Sequence, residues 1–286
     1  ENVRFHQTYL GGGFGRRGSP AYIVEATEIA KASGKPVQLV WTREDDIQQG
    51  PFRPASLMRI KAGVDGAGNL IAWDAARAGA DISPDTFRGL LPALYPWMGD
   101  GFVEGVANLS EWYFETFVTD EASTEGLFED YDHPNTRVTH MTVDHELPMT
   151  FWRSVGHSYT AFAKESMIDE LAQAAGMDEV AFRLQNTQNT PRLNNVILVA
   201  GERMASMTPP SGHHLGFAAH HSFHTDVAEI AEVSVEHGKI RVHKVTCVLD
   251  CGQAVNPDIV RSQMEGAVIY GLTAALYGGL NLENGA

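Results

Sequence analysis

"YLGGGFGRRGSPAYIVEATEIAKASGKPVQLVWTRED", residues 9–45, reads as the end of one strand, a glycine-rich turn, a helix and a second strand. Residues 2–10 alternate as a strand should. Ser19 then offers an N-cap and Pro20 a first helical position. Ile23, Ala26, Ile29 and Ala30 recur at helical spacing, Gly34 closes the helix, and residues 36–41 follow as the second strand. Within the turn, Gly13, Gly15 and Gly18 match G-x-G-x-x-G. If that turn holds a pyrophosphate, the fold is a doubly wound parallel sheet and the protein an NAD-dependent dehydrogenase. Two features weigh against this. The third glycine of a dinucleotide fingerprint lies inside the helix, whereas Gly18 precedes the helix start. The acid at the end of the second strand should follow by ~20 residues, and Glu44 lies well beyond that. A Walker loop is excluded because no Gly-Lys-Ser/Thr follows. What survives is a run of small residues that exposes backbone N–H groups beside Phe14, a surface able to cradle an anion or an oxo group.

Outward from this stretch, residues 57–80 read as a hairpin about Asp65-Gly66-Ala67-Gly68. Periodicity then fails. Residues 82–146 are read as long loops, with an inserted segment near 113–130. Trp97, Trp112 and Tyr113 are expected to bury against a sheet, the other reading being that they stack a planar ligand. "GHSYTAFAKESMIDELAQAAGMD", residues 156–178, gives an amphipathic helix. Tyr159, Phe162, Ala163, Met167, Leu171 and Ala175 mark its apolar stripe, and a short helix follows Asp178. Residues 226–250 form a hairpin turning at His237-Gly238. The last helix has Asn256 as N-cap and Pro257 at its first position. Gly266 and Gly271 inside it each cost ~1 kcal/mol against alanine, which implies close approach of another helix or a ligand.

Composition narrows the function. Of 286 residues, 43% are hydrophobic and 20% charged, as in ordinary globular proteins. A net charge of -15 argues against a nucleic-acid partner, because an acidic surface repels phosphate backbones. No apolar run approaches the ~18 residues of a membrane span. The chain starts at Glu1 and stops in a strand-and-turn pattern, so both ends are expected to be cut from something longer. Localisation is left open between cytoplasm and periplasm, with membrane association only through partners. Cys247 and Cys251 would stand ~13 Å apart along one strand, too far for a disulfide, and are expected to be buried free thiols. His213, His214, His220, His221 and His224 match no H-E-x-x-H zinc spacing and read as a glycine turn leading into strand.

Four stretches, "GGGFGRR", "VWTREDD", "FWRSVGHSYTAFAKESMIDELA" and "DCGQAVNPDIVRSQMEGAVIYGL", occur in this order. Together they make the chain resemble the molybdenum-binding large subunit of the xanthine oxidase family, closest to the isoquinoline 1-oxidoreductase beta subunit and aldehyde dehydrogenase branch. The resemblance implies an α+β fold of mixed sheets with packed helices, formed by parts of two molybdopterin-binding regions, residues 1–150 and 151–286. It implies a molybdopterin cofactor, in the plain or cytosine dinucleotide form. The implied reaction oxidises an aldehyde or N-heteroaromatic carbon with water-derived oxygen. Electrons would leave through iron–sulfur clusters on a small [2Fe-2S] partner subunit. It places Gly12, Gly13, Phe14 and Gly15 in the loop beside the molybdenum and Gln263 on the pterin edge. Arg153 becomes the catalytic cation that faces developing negative charge, and His157 a candidate pocket residue. The family's base, a glutamate in a Gly-x-Gly-Glu stretch, and its Gly-Gln-Gly stretch have no counterpart here. This chain alone is therefore expected to be inactive and to need missing segments of the same subunit. The alternative is a non-catalytic remnant that binds a partner.

Overall fold

In the computed structural model, residues 9–95, 97–143 and 147–281 are described. The strand expected over residues 2–10 falls mostly on residues 1–8, outside that set. The elements run α1 (Ala21–Ser33), α2 (Arg43–Gln49), β1 (Ser56–Val64), β2 (Leu70–Gly79), α3 (Ser83–Leu94), α4 (Asp100–Phe117) and α5 (Glu121–Thr124). Then follow β3 (Thr136–Thr142), α6 (His157–Ala175), α7 (Glu179–Gln185), α8 (Pro191–Ala205), β4 (His213–Ser222), β5 (Thr225–Glu236), β6 (Lys239–Asp250) and α9 (Pro257–Leu276). The class is α+β, as the sequence implied. Among the described residues, two three-stranded sheets, in order β1-β2-β3 and β4-β5-β6, are accompanied by packed helices.

The chain divides into two compact units. The first comprises residues 1–59, 76–125 and 139–159; the second comprises residues 60–75, 126–138 and 160–286. In the first, α3 and α4 pack as a pair around Leu91, Val103 and Ala107. The Asp120 carboxylate caps the start of α3, accepting from the Ile82 amide at 2.7 Å and the Ser83 hydroxyl at 2.7 Å. In the second, α8 lays Leu193, Val196, Ile197 and Ala200 on Phe217, Ala219, Ala228 and Ile230 of the β4-β5 ladder. That spacing of three and four is one face of a helix meeting alternate residues of antiparallel strands.

Several expectations change here. Residues 82–146 are not loops: α3, α4, α5 and β3 occupy most of them. The glycines, prolines and acids scattered there masked these helices, and the start of α3 is held by Asp120, a residue far along the chain. Trp97, Trp112 and Tyr113 are exposed rather than packed on a sheet. Residues 36–41 alternate half-buried and exposed but form no ladder, since no strand among the described residues pairs with them. Pro20, not Ser19, takes the N-cap position of α1. "HHLGFAAHHS" is a full strand, β4, registered against β5. Gly266 and Gly271 face open space, with nothing described within 4 Å of where a methyl group would stand. The hairpin turns at Asp65–Gly68 and His237-Gly238 and the Asn256 cap of α9 are as expected.

The stripe expected on α6 is also displaced. Phe162 is 76% exposed, while Lys164 and Glu165 are buried on the same helix. Charged residues count as surface in any hydropathy pattern. Their burial here is possible because each meets partners from other segments.

Candidate functional site

In the first unit the glycine loop meets the turn at residues 151–157. The loop carries left-handed backbone at Phe14 (φ 50°) and Gly15 (φ 85°). A side chain at Gly15 would overlap the Phe151 carbonyl, and one at Gly12 would stand 2.6 Å from the Phe14 ring. Glycine is needed for both clearance and conformation at position 15. The facing turn is strained too, with Ser154 at φ 66° and Val155 at φ 46°. Such residues persist only where their surroundings hold them.

Arg53 supplies that hold. Its guanidinium donates to the Val155 carbonyl and to the Arg153 carbonyl, each at 2.6 Å. It also lies over the Trp152 ring, 5.9 Å from the centroid. Glu125 completes the support: Oε1 accepts from the Gly156 amide at 3.2 Å, and Oε2 lies 3.6 Å from Nε2 of His157. Gly156 has no room for a side chain, since one would meet the Ala122 carbonyl at 2.6 Å. The Arg153 guanidinium lies over the Phe14 ring, 5.4 Å from its centroid. A cation in this position is held by the ring's negative face without surrendering its charge.

Sequence reasoning therefore named Phe14, Gly15 and Arg153, and the structure brings them together. It missed Arg53 and Glu125, which shape the turn. Arg53 stands in "PFRPAS" with no motif around it, and only its carbonyl partners reveal its role. Arg16 was also passed over. Its Nε and Nη1 are buried and meet no acceptor among the described residues. Gln263 belongs to the second unit, exposed on α9.

The second unit holds a different polar cluster. Lys164 pairs with Asp130, and Nδ1 of His220 lies 2.8 Å from the same ammonium. Burial pushes the Asp130 carboxyl up, but Lys164 and His220 outweigh it and hold it well below the usual carboxylate range. Burial, reinforced by Lys164, lowers His220. Beside them, Arg183 donates through Nε to Glu165 at 3.0 Å, and the Tyr131 hydroxyl donates to Glu165 at 2.8 Å. Burial and the Glu165 charge raise the Tyr131 phenol. Every charge in the cluster is matched, which marks it as structural. Of the other histidines in this stretch, His213 bonds Glu232 and His221 bonds Asp226, while His214 and His224 are exposed. Among the described residues no group of three His, Cys, Asp or Glu is arranged to hold a metal ion.

A groove of about 660 Å³ separates β6 from α9, lined by Val245, Cys247, Leu249, Val260, Met264 and Val268. Cys247 and Cys251 are free thiols, half-buried rather than fully buried. The Cys247 thiol donates to Glu229 at 3.3 Å; burial and that carboxylate push it up to about 12, so it is no nucleophile near neutral pH. No described helix is long and apolar enough to cross a membrane.

Comparison with known proteins gives two family matches, both described as molybdopterin cofactor-binding domains. One covers residues 1–80 and 106–187, the other residues 150–286. The chain is 31% identical over 283 residues to the beta subunit of isoquinoline 1-oxidoreductase from Brevundimonas diminuta, covering 96% of this chain and 33% of that protein. It is 29% identical to a nicotinate dehydrogenase subunit of Pseudomonas putida, covering 93% of this chain and 22% of that protein. The chain thus spans a third or less of the length of these relatives. Among solved structures, aldehyde oxidoreductase of Desulfovibrio gigas shares the fold at a TM-score of 0.51 and 20% identity, covering 82% of this chain and 26% of that one. Quinoline 2-oxidoreductase of Pseudomonas putida 86 does so at 0.51 and 18%, covering 82% and 32%.

Proposed function

The chain belongs to the molybdopterin cofactor-binding family, in the branch of xanthine oxidase-type molybdenum-binding subunits, and from that premise we propose that it forms the cofactor-binding part of a molybdenum hydroxylase. The reaction is oxidation of an aldehyde or N-heteroaromatic carbon, the two classes named by the relatives. The bound molybdenum cofactor would supply the oxygen-transfer and electron-accepting chemistry. We take residues 1–150 and 151–286 as its two binding regions; the start of the second family match at residue 150 supports this, and the first match overlaps it as far as residue 187.

The observation that carries this reading is the seating of Arg153 on Phe14, 5.4 Å from the ring centroid, across a glycine cradle. The residues present suit the group. Gly15 lets the loop pack directly on the Phe151 carbonyl, where a methyl group would collide, and so fixes Phe14 beside residue 153. The amides of Phe14, Gly15 and Arg16 donate to nothing among the described residues, so they are available to an oxo or phosphate oxygen. In this reading Gly12, Gly13, Phe14 and Gly15 form the wall at the cofactor, and Phe14 shapes the substrate side. Arg153 is the catalytic residue: its cation faces the negative charge that develops on the reacting oxygen. Arg53 is a positioning residue, fixing the carbonyl of residue 153 and hence the origin of that side chain. Gln263, exposed on α9, is assigned to the pterin edge, where an amide can both donate and accept.

The cytosine dinucleotide form of the cofactor and a small [2Fe-2S] partner subunit that takes the electrons are part of the proposal. Both the isoquinoline and the nicotinate relatives are named as subunits, which supports a multi-subunit enzyme. The test is made on the full reading frame expressed in a host that makes the cofactor. Molybdenum and fluorescent oxidised pterin should co-purify in equal amounts. Arg153→Ala should lower turnover far more than molybdenum content. Loss of molybdenum with no separate effect on rate would overturn the assignment of Arg153.

A further inference from the structure

Arg16 differs from Arg53, Arg153 and Arg183. Its side chain is half-buried, yet Nε and Nη1 are fully enclosed without an acceptor among the described residues. Its guanidinium lies over the Trp41 ring at 5.8 Å. The Glu25 carboxylate does not serve it: Oε2 accepts from Nε1 of Trp41 at 3.0 Å, and no ion pair among the described residues joins Glu25 to Arg16. Arg17, the next residue, is exposed and has no enclosed, unpartnered nitrogen. A guanidinium stacked by its face keeps its N–H edge for a planar, two-oxygen partner. Two enclosed N–H groups with no acceptor are costly, and the cost disappears when an anion's oxygens meet them. The chain carries a net charge of -15, so an accumulation of surface cations does not account for the position.

We propose that Arg16, seated on Trp41 beside the glycine loop, binds an oxyanion of the phosphate or carboxylate class. The inference rests on the proposed function only for the source of that anion. A phosphate would come from the pterin cofactor, and a carboxylate from the substrate. In either case Arg16 fixes one end of the bound molecule, while the chemistry takes place near Phe14 and Arg153. Arg16 is a binding residue and takes no part in proton or electron transfer.

The experiment is calorimetric titration of the full chain with inorganic pyrophosphate, inorganic phosphate and benzoate, in parallel with tryptophan fluorescence. The parent should bind at least one of them, with a fluorescence change that Trp41→Phe removes. Arg16→Met, which keeps the length of the side chain, should weaken binding about ten-fold or more, while Arg17→Ala leaves it unchanged. Arg16→Lys should fall between, because a point charge replaces a fork. Tighter pyrophosphate than benzoate assigns the cofactor phosphate; the reverse assigns a substrate carboxylate. No binding by the parent, or equal weakening by Arg16→Met and Arg17→Ala, overturns the proposal. These titrations need no molybdenum, so their failure leaves the family-based reading standing. Absence of molybdenum and pterin from the full-length protein defeats that reading and leaves an anion site intact.

Discussion

The loop around Phe14 in the first unit and the charge cluster around Lys164 in the second treat polar groups in opposite ways. Around Phe14 and Arg153 the backbone is left-handed at Phe14, Gly15, Ser154 and Val155; among the described residues the amides of Phe14, Gly15 and Arg16 donate to nothing, and Nε and Nη1 of Arg16 are enclosed without an acceptor. Around Lys164 and Arg183 every buried charge has a partner: Asp130 for the lysine, Glu165 and Asp169 for the arginine. Strain and unmet hydrogen-bonding capacity mark a surface prepared for a ligand. Full satisfaction marks a scaffold. Under the proposed function, this difference separates the cluster that meets the cofactor from the one that holds the fold together.

The strongest test removes one member of the satisfied cluster. Lys164→Met should leave Asp130 as an unmatched buried carboxylate and cost about 3–5 kcal/mol, read by denaturant unfolding. Pairing it with Asp130→Leu should recover much of that loss. If the single change costs under ~1 kcal/mol, the cluster is not structural. Next comes Arg53→Ala in the first unit. It removes two hydrogen bonds from a charged donor, worth about 1.5–3 kcal/mol each. It should also loosen the 153–155 turn, seen as faster amide exchange at Ser154 and Val155. Gly15→Ala should cost about 1–3 kcal/mol from the left-handed backbone, with further loss from the collision with Phe151, and should reduce cofactor retention in the full-length protein.

Acid probes the satisfied cluster in two steps. The folded-state values of both Asp130 and His220 lie below their ordinary ones. For His220 the neutral ring is favoured in the fold, so stability falls as pH drops below ~6.5, where the unfolded chain takes up the proton. For Asp130 the stabilisation is full above ~4 and is lost as pH falls further. A two-stage decline in unfolding free energy is expected, and His220→Gln should remove the upper stage only. The smallest effect belongs to α9. Gly266→Ala should raise helix stability by ~1 kcal/mol, since a methyl group there meets nothing described. A destabilising result would mean that the glycine serves a contact made in a larger assembly.

Local chemistry written along the chain was enough for the hairpins, the cap of the last helix and the family. The turns at Asp65–Gly68 and His237-Gly238, the helix after Asp178 and the Asn256 N-cap each depend on a few neighbouring residues, so they could be read in advance. The four ordered stretches likewise pointed to Phe14 and Arg153. Residues 82–146 could not be read that way. The cap that starts α3 comes from Asp120, 38 positions from Ile82 along the chain, and no local pattern shows it. The same holds for α6, whose inward face includes Lys164 and Glu165. A charge is buried only when folding delivers its partner, here Asp130 and Arg183, and hydropathy assigns such residues to the surface. Arg53 and Arg16 complete the contrast: as letters they are two arginines among many, and only the approach of distant carbonyls to one, and of no described acceptor to the other, separates a clamp from an open cation.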